Sequence, residues 1–222
     1  MTKKRLVIFG TGQFAEMATY YIERDSQEDI AAYTVDRSFF SENSFNGRPV
    51  LPFEEILESC PPSNFKLFVP ISYHSVNKQR QFHYEQAKNN GYEFYSYVSS
   101  AATIADNVTI GENCFIQELN NLQPFVTIGN NCILWAGNHI GHHTRIEDHV
   151  FIASHVVVSG SVVIGENSFV GVNATLRDNI TIGKSTVIGA ATTILKDAPP
   201  YSVYIGSRTD ASGLDSRDLK RL

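Results

Sequence analysis

Ile104-Ala105-Asp106-Asn107-Val108-Thr109-Ile110-Gly111-Glu112-Asn113-Cys114-Phe115-Ile116 repeats an aliphatic residue every six positions. The same spacing continues unbroken through Leu122, Ile128, Leu134, Ile140, Ile146, Ile152, Val158, Ile164, Val170, Leu176, Ile182, Ile188 and Ile194. The next position is often glycine, at Gly111, Gly129, Gly141, Gly165, Gly171, Gly183 and Gly189. Glycine there fits a tight turn where a Cβ would crowd the backbone. Four residues after the aliphatic comes a small or β-branched residue, such as Val108, Cys114, Val126, Val150, Val156 or Ala174. A period of six is neither the 3.6 of an α-helix nor the 2 of a long amphipathic strand. It fits a chain that wraps flat sides and turns corners, one hexapeptide per side, which is the hexapeptide-repeat parallel β-helix. Three sides make a coil of 18 residues, so the series spans about five coils at a ladder rise near ~4.8 Å.

The totals agree with a soluble globular protein. The chain has 222 residues, 42% hydrophobic and 18% charged, enough for one large domain or two modest ones. A net charge of −5 argues against nucleic-acid binding, which needs a basic face. The basic start Met1-Thr2-Lys3-Lys4-Arg5 is followed only by Leu6 to Phe9 before Gly10, too short a run for a signal peptide or membrane span. Cys60, Cys114 and Cys132 make no disulfide framework, which points to a reduced, cytoplasmic protein. Cys114 and Cys132 stack on adjacent coils at 18-residue spacing, but both hold the small inward position and read as buried free thiols.

Before the repeat, Lys4 to Phe9 reads as a buried strand ending at Gly10-Thr11-Gly12-Gln13-Phe14-Ala15. A helix pattern follows through Ala18, Tyr21 and Ile22, then a strand at Ile30 to Val35 closed by Asp36. This is a βαβ unit whose glycine-rich turn lets backbone N–H groups approach a phosphate at a helix N-terminus. A short helix over Pro52 to Glu58, a strand over Lys66 to Ile71, a helix over Val76 to Asn89 and a strand over Tyr92 to Val98 complete a small open α/β unit. Residues 1–98 are expected to form this Rossmann-like nucleotide-sugar-binding domain, 99–209 the β-helix, and 210–222 a polar tail expected to fray. The first unit is too small for a full dinucleotide fold, which argues for a mononucleotide or nucleotide-sugar.

From Gly10-Thr11-Gly12 to about Arg208 the chain resembles the bacterial nucleotide-sugar acyltransferases, which include N-acetyltransferases of UDP-linked 4-amino sugars and the sialic acid O-acetyltransferase group. The resemblance implies a left-handed β-helix, a homotrimer with active sites between subunits, acetyl-CoA as co-substrate and no metal. It implies transfer of an acetyl group to a nucleotide-linked amino sugar in surface polysaccharide or glycan biosynthesis. UDP, dTDP and GDP are not distinguished, and neither is an amine from a hydroxyl acceptor. Asn138-His139-Ile140-Gly141-His142-His143-Thr144-Arg145-Ile146 matches the family's catalytic stretch and puts His142 at the base position. Acyl transfer needs such a group to take a proton from the attacking amine or hydroxyl. Gly160, 18 residues on, is the candidate oxyanion donor through its N–H. Relatives often carry an acid directly after the base; here that place holds His143, counted with His142 and Gly160 among the candidate catalytic residues, and the group that orients the imidazole is left open among Glu147, Asp148 and a neighbouring subunit.

By the same resemblance, Gly10, Gly12 and Gln13 approach the phosphates of the nucleotide and Asp36 its base or ribose. Ser72 and Tyr73, also expected to meet the nucleotide-sugar, replace a glycine–asparagine pair common in relatives. Acetyl-CoA is expected along the later coils, against Gly171, Gly189, Ala190, Lys196 and, in a tail lacking the usual proline, Arg208.

Five of the seven histidines lie between His139 and His155, which raises a second reading, a trimeric zinc enzyme like the hexapeptide carbonic anhydrases. His143, His149 and His155 recur every six residues, so within one chain they point away from one another. His149 and His155 read as groove or interface residues, and His74 and His83 as surface or substrate-edge residues. A third reading is a trimeric, non-enzymatic scaffold that senses a nucleotide.

Overall fold

The computed structural model describes residues 3–218; Met1 and Thr2 of the basic start and residues 219–222 of the polar tail lie outside the described residues. From Thr103–Ile104 to Thr193–Ile194, two-residue strands follow one another at six-residue intervals, each ending in the repeating aliphatic. Each strand pairs in parallel with the one 18 residues on, as Asn121 with His139 and Leu122 with Ile140. Three strands therefore close a coil, and the stacked coils form three flat parallel sheets. Side 1 runs from Tyr97–Val98 through Phe115–Ile116 and Phe151–Ile152 to Val203–Tyr204. Side 2 runs from Thr103–Ile104 to Thr193–Ile194, and side 3 from Thr109–Ile110 to Thr181–Ile182.

The aliphatics and the small inward residues Cys114, Val126, Cys132, Val150, Val156 and Ala174 make one continuous core. Each buried aliphatic contributes roughly 1.5–3 kcal/mol relative to exposure. All three cysteines are free and buried. The thiols of Cys114 and Cys132 donate to the carbonyls of Gly129 and Glu147, each at 3.1 Å.

The corners are built differently from the sequence expectation. The left-handed residue of each turn comes three positions after the aliphatic and recurs every six residues, through Asn113, Asn131, Gly137, His143, His149, His155, Ser161 and onward to Ala191. The repeated glycines are instead demanded by the neighbouring coil: a Cβ on Gly141 would stand 2.5 Å from the carbonyl carbon of Ser159.

The N-terminal sheet contains β1 (Arg5–Phe9), β2 (Ile30–Val35), β3 (Ser44–Phe45), β4 (Arg48–Pro52) and β5 (Phe65–Phe68), in the order β3-β4-β2-β1-β5. Helix α1 (Gln13–Asp25) connects β1 to β2, α2 (Ile56–Ser59) follows a 3-10 turn at Phe53–Glu55, and α3 (Lys78–Asn89) follows β5. The β3–β4 hairpin escaped the sequence reading; its two-residue turn, Asn46-Gly47, has φ of 47° and 72°, the geometry that an Asn-Gly pair favours. Strand β5 stops short of Ile71 because Val69 N–H leaves the sheet to donate to Asn113 Oδ1 at 2.8 Å, and Pro70 has no N–H to continue. Helix α3 starts after Val76 because Ser75, Val76 and Asn77 are all left-handed. Tyr92 to Val98 is not one strand of this sheet either: Tyr97–Val98 pairs with Phe115–Ile116 and is the first step of side 1.

The two parts meet on the outer face of side 1. Phe115, Ile133, Phe151 and Phe169 point outward there and pack with Phe14, Ala15, Ala18 and Tyr21 of α1. Beneath α3, the fully buried Arg80 donates to the carbonyls of Asn131 at 3.1 Å and His149 at 2.8 Å in the coils, and to Ile71 and Ser72 at 3.2 Å. Burial lowers its guanidinium to about 10, still charged at neutral pH. Asn77 adds Nδ2 bonds to the carbonyls of Asn167 at 2.9 Å and Ser168 at 3.0 Å.

Candidate active site

The β1–α1 turn opens onto a cavity of about 470 Å³. Gly10 adopts φ +108°, and Gly12 caps α1, so the first amides of the helix are left for an anion. The structure gathers five of the six residues expected to meet the nucleotide, Gly10, Gly12, Gln13, Asp36 and Ser72, around this cavity. Tyr73 is not among them; its ring leans on Phe151 and Phe169, with centroids 5.1 and 4.9 Å apart. His74 is exposed and lines the rim.

His83 is not a surface residue. It is 3% exposed, lines the cavity, packs its ring 4.4 Å from Phe9 and sets Nε2 3.4 Å from Asp36 Oδ2. Burial pushes the His83 imidazole below its ordinary range and the Asp36 carboxyl above its own. The signal was present: Arg80, His83, Tyr84 and Ala87, the buried residues of α3, follow the i, i+3, i+4, i+7 spacing of one helix face.

His142 stands at the corner between sides 2 and 3, exposed to solvent. Its backbone N–H donates to Gln123 Oε1 at 2.9 Å, and its Nδ1 lies 3.1 Å from His143 Nδ1. Gly160 lies on the adjacent coil against the imidazole; a Cβ there would stand 2.7 Å from His142 Nε2. Among the described residues, the Gly160 N–H donates to no other group. An exposed imidazole and an unspent N–H donor thus lie side by side on adjacent coils. Glu147 and Asp148 do not serve the imidazole. Glu147 pairs with Arg145 at 2.8 Å and Asp148 accepts from the Asn130 N–H at 2.7 Å, at the next corner.

Lys196 falls in the same corner column as His142 and Gly160, since side 2 pairs strands every 18 residues. Gly171, Gly189 and Ala190 stack at the other edge of side 2: Gly171 approaches Ala190 so closely that a Cβ would stand 2.7 Å from its nitrogen. Arg208 is exposed and 3.5 Å from Asp210. Four of the five expected acetyl-CoA residues, Gly171, Gly189, Ala190 and Lys196, therefore occupy the two edges of side 2.

His143, His149 and His155 occupy three separate corners, with φ of 58°, 64° and 58°. His155 is exposed and rests on Gly137. His149 is not in a groove; it is buried under α3, 5.6 Å from the Tyr84 ring, and accepts from Asn131 Nδ2 at 2.8 Å. Burial lowers its imidazole to about 4.

Residues 125–160 and 161–196 match the family model described as bacterial transferase hexapeptide (six repeats). A comparison of the sequence with curated proteins returned no match. Among solved structures, a histidine-to-asparagine mutant of perosamine N-acetyltransferase from Caulobacter crescentus, in complex with CoA and GDP-perosamine, superposes with a TM-score of 0.82 at 24% identity, over 92% of this chain and 95% of that one. The acetyltransferase domain of PglB from Neisseria gonorrhoeae gives 0.78 at 22% identity, and WeeI from Acinetobacter baumannii 0.77 at 20%, each over 92% of this chain and 97% of the other. The chain has their fold. Its coils form a left-handed parallel β-helix behind an α/β N-terminal region, as the repeat and the resemblance implied. No helix among the described residues is long and apolar enough to cross a membrane.

Proposed function

We propose that this protein is an acetyl-CoA-dependent N-acetyltransferase acting on a nucleotide-linked amino sugar, in the biosynthesis of surface polysaccharide or glycan. The observation that carries the reading is the solvent-facing His142 imidazole set against Gly160, whose N–H is unspent. His142 Nε2 takes a proton from the amine as the nitrogen attacks the thioester carbonyl. The carbonyl oxygen becomes an oxyanion that accepts from the Gly160 N–H. Collapse breaks the C–S bond, and the CoA thiolate takes the proton from His142. Two of the similar structures are histidine mutants of a perosamine N-acetyltransferase bound to CoA and GDP-perosamine, which supports a histidine base and an amine acceptor.

In this reading, the N-terminal α/β part holds the nucleotide-sugar in the cavity beside Gly12 and Asp36, and the β-helix, which starts at Tyr97–Val98, carries the chemistry. Acetyl-CoA lies along side 2 against Gly171, Gly189, Ala190 and Lys196, with Arg208 near a phosphate. Among the described residues the cavity is lined by the N-terminal part alone. On this proposal the cavity of one subunit serves the His142 of a neighbour, in the homotrimer that the family resemblance implies. Three free thiols support a reducing, cytoplasmic setting.

The test is a thiol-release assay with acetyl-CoA against UDP-, dTDP- and GDP-linked amino sugars and their hydroxyl counterparts. Release with an amino sugar, together with a mass gain of one acetyl group, supports the reading. Release with the hydroxyl counterpart alone moves the acceptor to oxygen. Silence across the panel without CoA binding overturns acyl transfer.

A further inference from the structure

A histidine accepts a proton at Nε2 only while its own hydrogen sits on Nδ1, and the partner of Nδ1 decides which nitrogen holds it. The partner of His142 Nδ1 is His143 Nδ1, 3.1 Å away, with the two rings at 85°. Two nitrogens at that distance share one hydrogen, which either ring can supply; on His142 Nδ1 it leaves His142 Nε2 with its lone pair, and a hydrogen on each would set the pair in repulsion. The direction of His143 Nδ1 depends on the plane of its ring, and that ring is stacked on Phe125 with centroids 4.6 Å apart and planes 29° apart.

Phe125 is a costly residue for its position. It occupies a left-handed corner with φ +67° and leaves its side chain 55% exposed. Bulky side chains rarely adopt that backbone, and the equivalent corner residues on later coils are His143, Ser161 and Asn179. The inward core contains none of its ring; its aromatic partner is the imidazole of His143.

We infer that Phe125 and His143 are positioning residues for His142: the phenyl ring fixes the His143 plane, His143 Nδ1 accepts the His142 Nδ1–H, and His142 Nε2 is left with its lone pair. During transfer His142 gains the substrate proton at Nε2 and keeps its Nδ1 hydrogen directed at a neutral imidazole. The thiolate later removes the Nε2 proton, and His143 ends the cycle unchanged. The kinetic consequence rests on the proposed acetyl transfer; the tautomer is a property of the protein alone.

The experiment is long-range 1H–15N NMR on histidine-labelled protein in mildly alkaline solution, joined to steady-state kinetics. The native protein, Phe125→Tyr and His143→Asp are expected to hold His142 as the Nδ1–H tautomer. Phe125→Ala and His143→Ala are expected to shift it toward a mixture and to lower kcat by about tenfold or more, with the KM for acetyl-CoA unchanged. A His142 that is Nε2–H in the native protein, or a tautomer indifferent to both alanine variants, overturns the inference. If no acetyl transfer is found while the tautomer follows this pattern, acetyl transfer falls and the positioning stands.

Discussion

A Cβ placed on Gly160 would stand 2.6 Å from Cε1 and 2.7 Å from Nε2 of His142, one coil away. The glycine is thus the floor on which the imidazole lies. Gly160 has no left-handed backbone, so alanine is conformationally allowed there, and the ring it would strike is exposed and free to swing outward. Gly160→Ala keeps its N–H. It should fold with a near-native unfolding midpoint yet lose turnover by about tenfold to a hundredfold, through displacement of the proposed base. Thermal unfolding read beside the thiol-release assay checks both halves; full activity would show that the ring position is immaterial.

His142→Ala should lower kcat by about two orders of magnitude or more, the usual contribution of a general base. The side chain is exposed, so stability should stay within about 0.5 kcal/mol of native. Single-turnover rates with saturating acetyl-CoA are the measurement. A near-normal rate would remove His142 from the chemistry.

Arg80 tells a stability story instead. Its guanidinium is completely buried among carbonyls of both parts, at Ile71, Ser72, Asn131 and His149. Arg80→Met would leave those acceptors dry and unpaired, at roughly 3 kcal/mol or more. Arg80→Lys should recover only part of that, since one ammonium cannot span acceptors placed for a planar fork. Urea unfolding curves should show the ranking native, lysine, methionine; equal midpoints would mean that water replaces the guanidinium.

How far the sequence could be read follows from these cases. The six-residue period is a local pattern repeated without a gap, so it reveals the coils and their core directly. The residue before each aliphatic points outward, and on side 1 it reads Phe115, Ile133, Phe151, Phe169 and Val187 at 18-residue spacing. That apolar series marks the side covered by the N-terminal part and was there to be seen. The partners of Arg80 were not, because its acceptors come from backbone at positions 71, 72, 131 and 149 that only the folded chain assembles. Nor was the His142–His143 contact: neighbouring residues meet through their rings only because His143 is left-handed.

His149 interrupts a buried ladder of corner residues, Asn113, Asn131 and Asn167, and is held neutral by its surroundings. Burial depresses its imidazole from the ordinary 6.5 to about 4. Between these values the unfolded chain binds the proton and the folded chain does not. Stability is therefore complete above about pH 6.5 and declines as pH falls toward 4, by up to about 3 kcal/mol. His149→Asn fits the left-handed corner and should flatten this slope. Denaturation midpoints of both proteins across that range test it, and parallel slopes would assign the acid sensitivity elsewhere.

Gly12 separates the cavity from a mere tight turn. A Cβ on Gly12 meets nothing within 4 Å, and the residue sits in extended backbone with φ −92°, so Gly12→Ala should fold, at a cost of about 1 kcal/mol for the poorer N-cap. The space that the methyl would fill lies at the N-terminus of α1, where free amides and the helix dipole favour an anion. If phosphates of the nucleotide occupy it, the methyl displaces them. The Kd for a nucleoside diphosphate should then rise about tenfold or more, the equivalent of about 1.4 kcal/mol. Calorimetric titration with UDP, GDP and dTDP measures this directly, before any acceptor sugar is known. An unchanged Kd in Gly12→Ala, with a well-folded protein, would take the phosphates away from this turn and leave Gly12 as a helix cap.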